Sequence, residues 1–492
     1  MGFLITFMGI VIRQSFANTA VTFIGFTIGA FNALYAYPLF LGDFHYGLTA
    51  FLLSTANLLM PFMAFGVQNT LIRFYSNFGS NHDQSAFLNL MLLLPLVVIL
   101  PFFCVVYFFY DPLSSLISQK NPDIYLHAWM IPIIAMCMAY FEIFYAWAKV
   151  HLKTVSGNFL KEVLLRIFIT VSLVFVSTGQ INGDEFLILL LIIYALITFI
   201  MGFIAFRIRR PVLHTTLLKD KKDIFVYSLF IVFSSGVAIV LLDIDKFMLA
   251  QFIPIEQTAY YSVAIFMAIS ISVPMRAMHQ ITHPLTSTFM TQKKWDEVQD
   301  LYQKSSISLQ VISGLLLVCI LVSLTEIYTF LPKGYESGFW VVYIIGFAKY
   351  ADASLGTNNS IIFNSPYYKI IVGLGIVLIA LMILLNRWLI PSFGLMGAAL
   401  ATLIAVLFSN MSKLLFVTQK LRLSPFRKQN LWSFLILVVV FFVVNFISLP
   451  VHAFVGIVLK SLLASIIYLT LHHYASVWPE MKTLWQNILP KK

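Results

Sequence analysis

At 492 residues the chain is long enough for two or three soluble domains. However, 60% hydrophobic residues, 10% charged residues and a mean hydropathy of +0.91 exclude an ordinary globular protein and indicate an all-α polytopic membrane protein. The net charge of +11 does not mark a nucleic-acid binder, because Lys and Arg fall between apolar runs and not on a soluble basic face.

The first long apolar run continues past the length of a signal-peptide core and lacks a small-residue cleavage site, so the first helix is expected to stay. In all, about fourteen runs satisfy the twenty-residue criterion for a span. Their centres lie near Phe26, Pro61, Val97, Cys137, Val171, Ile193, Ser234, Phe266, Leu315, Gly346, Val377, Leu403, Val440 and Leu463. The links are short, the longest outer one running from about Asp111 to Asp123, and no extramembrane domain fits between spans. With the N-terminus inside, the inner links collect Lys149, Lys153, Arg207, Arg209, Arg210, Lys219, Lys221, Lys222, Lys293, Lys294, Lys420, Arg422, Arg427 and Lys428. The outer links hold only Lys120, Lys333 and Arg387. That asymmetry predicts an even number of spans with both termini cytoplasmic.

The basic link at 207–222 divides the chain. Residues 1–215 form an expected six-helix bundle, 216–420 a second, and 421–492 two additional spans and a cytoplasmic tail. Each half begins with a hairpin whose second helix carries a proline, Pro61 or Pro274, the pattern of a duplicated bundle. Pro61, Pro132 and Pro274 are expected to kink their helices. Cys104, Cys137 and Cys319 lie in apolar runs without metal spacing and read as buried small hydrophobes, with neither disulfide nor zinc.

Charges inside spans carry the functional argument, since an ionised group at a bilayer centre costs about 2.5–3.5 kcal/mol on insertion scales. Arg13 and Arg73 bracket the inner ends of the first two spans and read as anchors. Glu142 and Arg166 lie at matching depths in adjacent antiparallel spans, which predicts an ion pair, the alternative being a proton- or cation-responsive switch. The stretch Leu241–Thr288 places Asp243, Asp245, Lys246 and Arg276 at depth around a turn at Pro254-Ile255-Glu256. Asp243 and Lys246 are three residues apart near an outer end, where Lys246 snorkels. Arg276, roughly 15 Å from the inner end of its span, has no carboxylate three or four residues away and is the leading residue to meet an anionic ligand. His279 and His283 share a face at i, i+4 and read as a polar face more than as half a metal site. Lys349 and Asp352 lie on one stripe with Gly356 and Asn359, continuing toward Asn358, Ser360 and Asn364. They form either a structural pair or a cavity-lining site. Lys460 has no evident partner.

Tyr140, Phe141, Tyr145, Trp147, Trp340 and Tyr343 sit near span ends as interfacial aromatics. Enzymatic chemistry finds no support: no Gly-rich phosphate loop, G-x-S-x-G, H-E-x-x-H or large catalytic outer loop occurs, and no cofactor or metal is implied.

The segment Ile244–Leu249 (IDKFML) followed by Tyr261–Ala264 (YSVA), the region Tyr46-Gly47-Leu48, and Gly394–Ala401 (GLMGAALA) resemble the bacterial polysaccharide or oligosaccharide flippases of the Wzx type. Their superfamily also holds multidrug and toxin extrusion transporters and the lipid II flippase. The resemblance covers essentially the whole chain. It implies two six-helix bundles around a cationic central cavity that opens alternately to either side, and a cargo of sugars on a polyprenyl diphosphate, an O-antigen or exopolysaccharide repeat unit. On that reading Arg276, Lys349, Arg166 and Arg73 contact the diphosphate, and Glu142, Asp243 and Asp352 with Lys246 serve ion coupling or ion pairs. The implied setting is the bacterial inner membrane, as a monomer beside a polysaccharide polymerase and glycosyltransferases. A cation-coupled drug exporter is the alternative, but its cavity should be acidic. A lipid II flippase is another, but that branch's substrate arginines cannot be matched here position by position.

Overall fold

In hydrocarbon every backbone N–H and C=O must be satisfied within its own segment, so long apolar runs fold as helices. The computed structural model describes residues 2–78, 81–211, 221–367, 369–447 and 450–478, which contain helices and connecting turns and no strand. Lys219 lies outside the described residues, as do the side chains of Arg13, Lys221 and Lys222.

Helix α1 (Gly2–Phe31) continues as a π-helical stretch, Asn32–Leu41, around Pro38. Then follow α2 (Asp43–Met63), α3 (Val67–Phe74), α4 (Asn81–Leu93), α5 (Leu96–Phe108), α6 (Tyr110–Ile117), α7 (Asp123–His127) and α8 (Met130–Val150). Next come α9 (Thr154–Phe159), α10 (Leu165–Ser177), α11 (Gly183–Ile208), α12 (Lys221–Phe252), α13 (Glu256–Ser270) and α14 (Val273–Thr291). The chain closes with α15 (Trp295–Val322), α16 (Leu324–Tyr328), α17 (Phe339–Ala353), α18 (Asn358–Phe363), α19 (Lys369–Phe416), α20 (Lys428–Asn445) and α21 (Ala453–Tyr474).

All of the expected span centres fall on helix. Among the described residues nine helical segments are by themselves long and apolar enough to cross a membrane, and α13 with α14 make a tenth across a 45° bend. The longest segment, Lys369–Leu421, holds two expected runs and breaks at Gly394, whose φ of 56° and ψ of −129° suit a residue without a side chain.

The prolines act by position. Pro274 stands in the first turn of α14, at the bend from α13, while Pro61 ends α2 ahead of a turn at Gly66. Pro132 does not kink α8: it lies in the first turn, where its missing N–H has no helical acceptor to lose. The three cysteines are free thiols, and Cys104 is exposed on α5, not buried as expected, because the apolar run it belongs to turns that flank outward.

By packing, the chain divides into two units, Met1–Ala259 and Tyr260–Lys492. In the first, α8 is the hub, packed by α2, α3 and α11 over buried Ile143, Phe141 and Trp147. Helix α12 lies along α2 and α3 and so packs in the first unit. Asn121, in the link after α6, holds the end of α12: its amide donates to the carbonyls of Ala250 (2.7 Å) and Ile253 (3.0 Å), and its oxygen accepts from the Ile255 N–H (2.9 Å).

In the second unit α15 is the hub for α14, α17, α20 and α21. Buried polar side chains specify that packing. The Gln310 amide donates to the Tyr350 hydroxyl and the Asn430 carbonyl, both at 3.0 Å, and Asn430 donates back to Gln310 at 2.6 Å. The terminal pair α20–α21 is tied in as firmly. The Tyr468 hydroxyl donates to the Val311 carbonyl (3.2 Å), the Trp478 indole N–H donates to Ser308 (3.0 Å), and Lys460 pairs with Glu326 of α16.

Candidate functional site

In Met1–Ala259 three cations, Lys161, Arg166 and Lys246, each stand within 4 Å of a carboxylate. Gly25 and Gly29 form a small-x-x-x-small face on α1 that lets α9–α10 approach closely. Into that gap goes Arg166, which donates to the Gly25 carbonyl and pairs with Glu162 one turn earlier at 2.8 Å. The expected Glu142–Arg166 pair is therefore not formed. Glu142 pairs with Lys161, and Arg166 takes the carboxylate on its own helix, which is already in register. Asp243 and Lys246 do pair, at 3.7 Å along one helical turn, and Asn57 hydrogen-bonds Asp243 from α2. Tyr194 lies within electrostatic reach of both Arg166 and Asp243. Asp245 is buried at 4% exposure. Arg73 is exposed and stacks on the rings of Tyr227 (4.6 Å) and Phe74 (5.9 Å).

A polar cluster gathers just past the C-terminal ends of α3, α8 and α11. His151 has Trp147 O 2.8 Å from Nδ1 and the Tyr75 hydroxyl 2.9 Å from Nε2, and Arg209 donates to the same hydroxyl at 2.9 Å. This network assigns the proton to Nδ1 and leaves Nε2 as the acceptor. Burial pushes the His151 imidazole down. Its bond to the Trp147 carbonyl opposes that, and the nearby charges of Arg209 and Lys153 reinforce it.

Tyr260–Lys492 is different. Helix α14 carries Arg276, His279 and His283 at i, i+3 and i+7, one continuous stripe. Arg276 is exposed and makes no ion pair or hydrogen bond among the described residues. Asp352, on α17 with half-buried Lys349 one turn before it, acts electrostatically on His279 and on Lys413 of α19. Asn364 lies 3.3 Å from His283 Nδ1. Asp352 thus lies within electrostatic reach of His279 and Lys413, and Arg276 continues the His279 stripe one turn earlier on α14.

The polar stripe expected beyond Asp352 does not run on as one helix face. At Gly356 the chain turns with φ +54°, so tightly that a Cβ there would stand 2.6 Å from Ser305 Oγ and Ser306 N. Asn358 is consequently buried against α15, accepting from the Tyr302 hydroxyl at 2.9 Å, and only Asn364 reaches the histidines. The sequence reading also missed Lys413, Glu162, Lys161 and Glu326. Glu162 was detectable at i−4 from Arg166; Glu326, the partner of Lys460, was not, because that contact depends on tertiary packing.

Residues 11–282 match the profile of the family described as polysaccharide biosynthesis protein. Among solved structures, the lipid II flippase MurJ in an inward closed conformation aligns with a TM-score of 0.74 at 14% identity, over 92% of this chain and 97% of that one. Outward-facing and inward-facing structures of a multidrug resistance MATE family transporter of the MOP superfamily align with TM-scores of 0.55 and 0.58, at 11% and 10% identity. Each covers 81% of this chain, and 94% and 97% of theirs. At these identities the likeness is one of fold. No protein of curated function matches the chain.

Proposed function

The chain belongs to the polysaccharide biosynthesis protein family, and from that premise we propose that it moves a polyprenyl-diphosphate-linked oligosaccharide, an O-antigen or exopolysaccharide repeat unit, across the bacterial cytoplasmic membrane by alternating access. The observation that carries this reading is the cationic face of Tyr260–Lys492, where Arg276, without a partner among the described residues, continues the stripe of His279 and His283, Lys349 shares α17 with Asp352, and Lys413 of α19 lies within the electrostatic reach of Asp352.

A cation kept in an apolar protein without an acid calls for an anion that arrives later. A diphosphate satisfies that requirement, and an arginine fork matches its oxygens better than an ammonium does. The sugars need only water and hydrogen-bonding groups, and the polyprenyl tail remains in hydrocarbon throughout. Asp352, set between His279 and Lys413, is the group we assign to ion coupling, since it is the carboxylate whose charge acts on both. Arg166, bound to Glu162, and Arg73, stacked on Tyr227, hold helices in this scheme. The polymerase and glycosyltransferases of the same biosynthetic route are its expected partners.

The test is flipping in proteoliposomes with a labelled polyprenyl-diphosphate oligosaccharide, comparing the intact protein with Arg276→Ala and Arg276→Lys. Loss in the alanine variant with partial rescue by lysine supports the reading. Unaltered flipping in the alanine variant removes Arg276 from the path, and export of a cationic dye in place of the lipid-linked sugar replaces the proposed cargo.

A further inference from the structure

Between α8 and α11 the surface of Met1–Ala259 opens into an apolar groove of about 370 Å³. Met136, Tyr140 and Phe144 form one wall; Ala195, Phe199 and Phe203 form the other. The polar atoms of its floor are already occupied: the Thr198 hydroxyl donates to the Cys137 carbonyl at 2.8 Å, and the Tyr140 hydroxyl points away to the Leu92 carbonyl at 3.3 Å. The volume lies near the lower end of the ~300–1,000 Å³ usual for ligand pockets, room for one hydrocarbon chain and not for a long polyprenol.

The groove ends at charge. On α11 the lining residue Phe203 is followed, one turn along the same face, by Arg207, and Arg210 follows just past the end of the helix, where Arg209 has left the helical conformation. Both arginines are exposed and make no ion pair among the described residues. The Arg207 guanidinium stands 4.8 Å from the Phe203 ring centroid, so it is held over the groove's end. Both belong to the basic link expected on the cytoplasmic side.

We propose that this groove binds one anionic phospholipid of the cytoplasmic leaflet, an acyl chain lying between α8 and α11 and the phosphate resting at Arg207 and Arg210. The site is separate from the cationic face of Tyr260–Lys492, and its lipid is a resident of the protein, not its cargo.

Lipid retained by the purified full-length protein, measured by native mass spectrometry after exchange into defined phosphatidylglycerol or phosphatidylcholine micelles, tests this. The intact protein should retain one phosphatidylglycerol in preference to phosphatidylcholine. Arg207→Ala with Arg210→Ala should lower that preference about fivefold per arginine, from about 1 kcal/mol for each basic residue at an anionic surface. Ala195→Trp, at an exposed position on the groove wall, should lower retention of both lipids without shifting the melting temperature. Equal retention of the two lipids by the intact protein, or retention unaffected by Ala195→Trp in a variant that stays folded, overturns the proposal. So does displacement of the retained phospholipid by a polyprenyl phosphate, which would make the groove a cargo track.

Discussion

The two units treat a deep arginine in opposite ways. In Met1–Ala259, Arg166 has Glu162 four residues behind it and a glycine face to slide against, and its charge is used up in holding α10 to α1. In Tyr260–Lys492, Arg276 has Ser272 and Gln280 at the equivalent offsets and finds no acid on any neighbouring helix among the described residues. The difference of one carboxylate at i−4 separates a cation that welds helices from one with no acid among the described residues, the one we propose to meet the diphosphate. Depth alone is thus a poor guide to function. The state of compensation is the better one.

The comparison breaks most visibly at Arg276. Replacing it with alanine should weaken capture of the diphosphate by about 1.5–3 kcal/mol, the worth of a charge-assisted hydrogen bond, and so slow flipping about 10- to 100-fold at limiting cargo. The melting temperature in detergent should stay in place. Glu162→Gln should do the reverse. Stability falls by about 1–3 kcal/mol because Arg166 is left half-buried without its counter-charge, while flipping per folded molecule is preserved; a clear transport defect at native stability would undo the contrast. Asp352→Asn is a milder probe: removing the carboxylate from among His279, Lys413 and Lys349 should tighten binding of inorganic pyrophosphate by a few-fold and flatten the response of flipping to a proton gradient. Isothermal titration and a pH-jump flipping assay measure the two effects.

The smallest expected effect belongs to His151 and its polar cluster. Folding holds His151 below its ordinary value, so between that lowered value and about 6.5 the unfolded chain binds a proton that the folded one refuses. Its contribution is therefore complete above about pH 6.5 and declines as the pH falls below that. The decline should vanish in His151→Gln, which keeps a donor and an acceptor but does not titrate in this range. Melting curves between pH 7 and 5 for the two proteins measure it.

Much of this was legible in the chain itself, for reasons the residues make plain. Helix positions followed from apolar run length, because lipid leaves the backbone no other option. The Asp243–Lys246 pair and the shared face of His279 and His283 followed from helical spacing, since both are contained within one element. What failed was register between elements. Glu142 and Arg166 lie at matching depths, yet rotation of the two helices about their axes gave Glu142 to Lys161. Gly356 ended a stripe that spacing alone would have prolonged, and Lys413 joined the cationic face only because α19 brings it back to α17.

The pairing of Lys460 with Glu326 gives the last two helices a meaning beyond their place at the end of the chain. With side chains only 10% and 19% exposed, neither charge tolerates the loss of the other. Trimming the protein after residue 427 would strip α15 of the surface that α20 and α21 cover and strand an acid in oil. The terminal helices are therefore a structural wall of the second unit, and a shortened gene product should be cleared by quality-control proteases before it could be assayed.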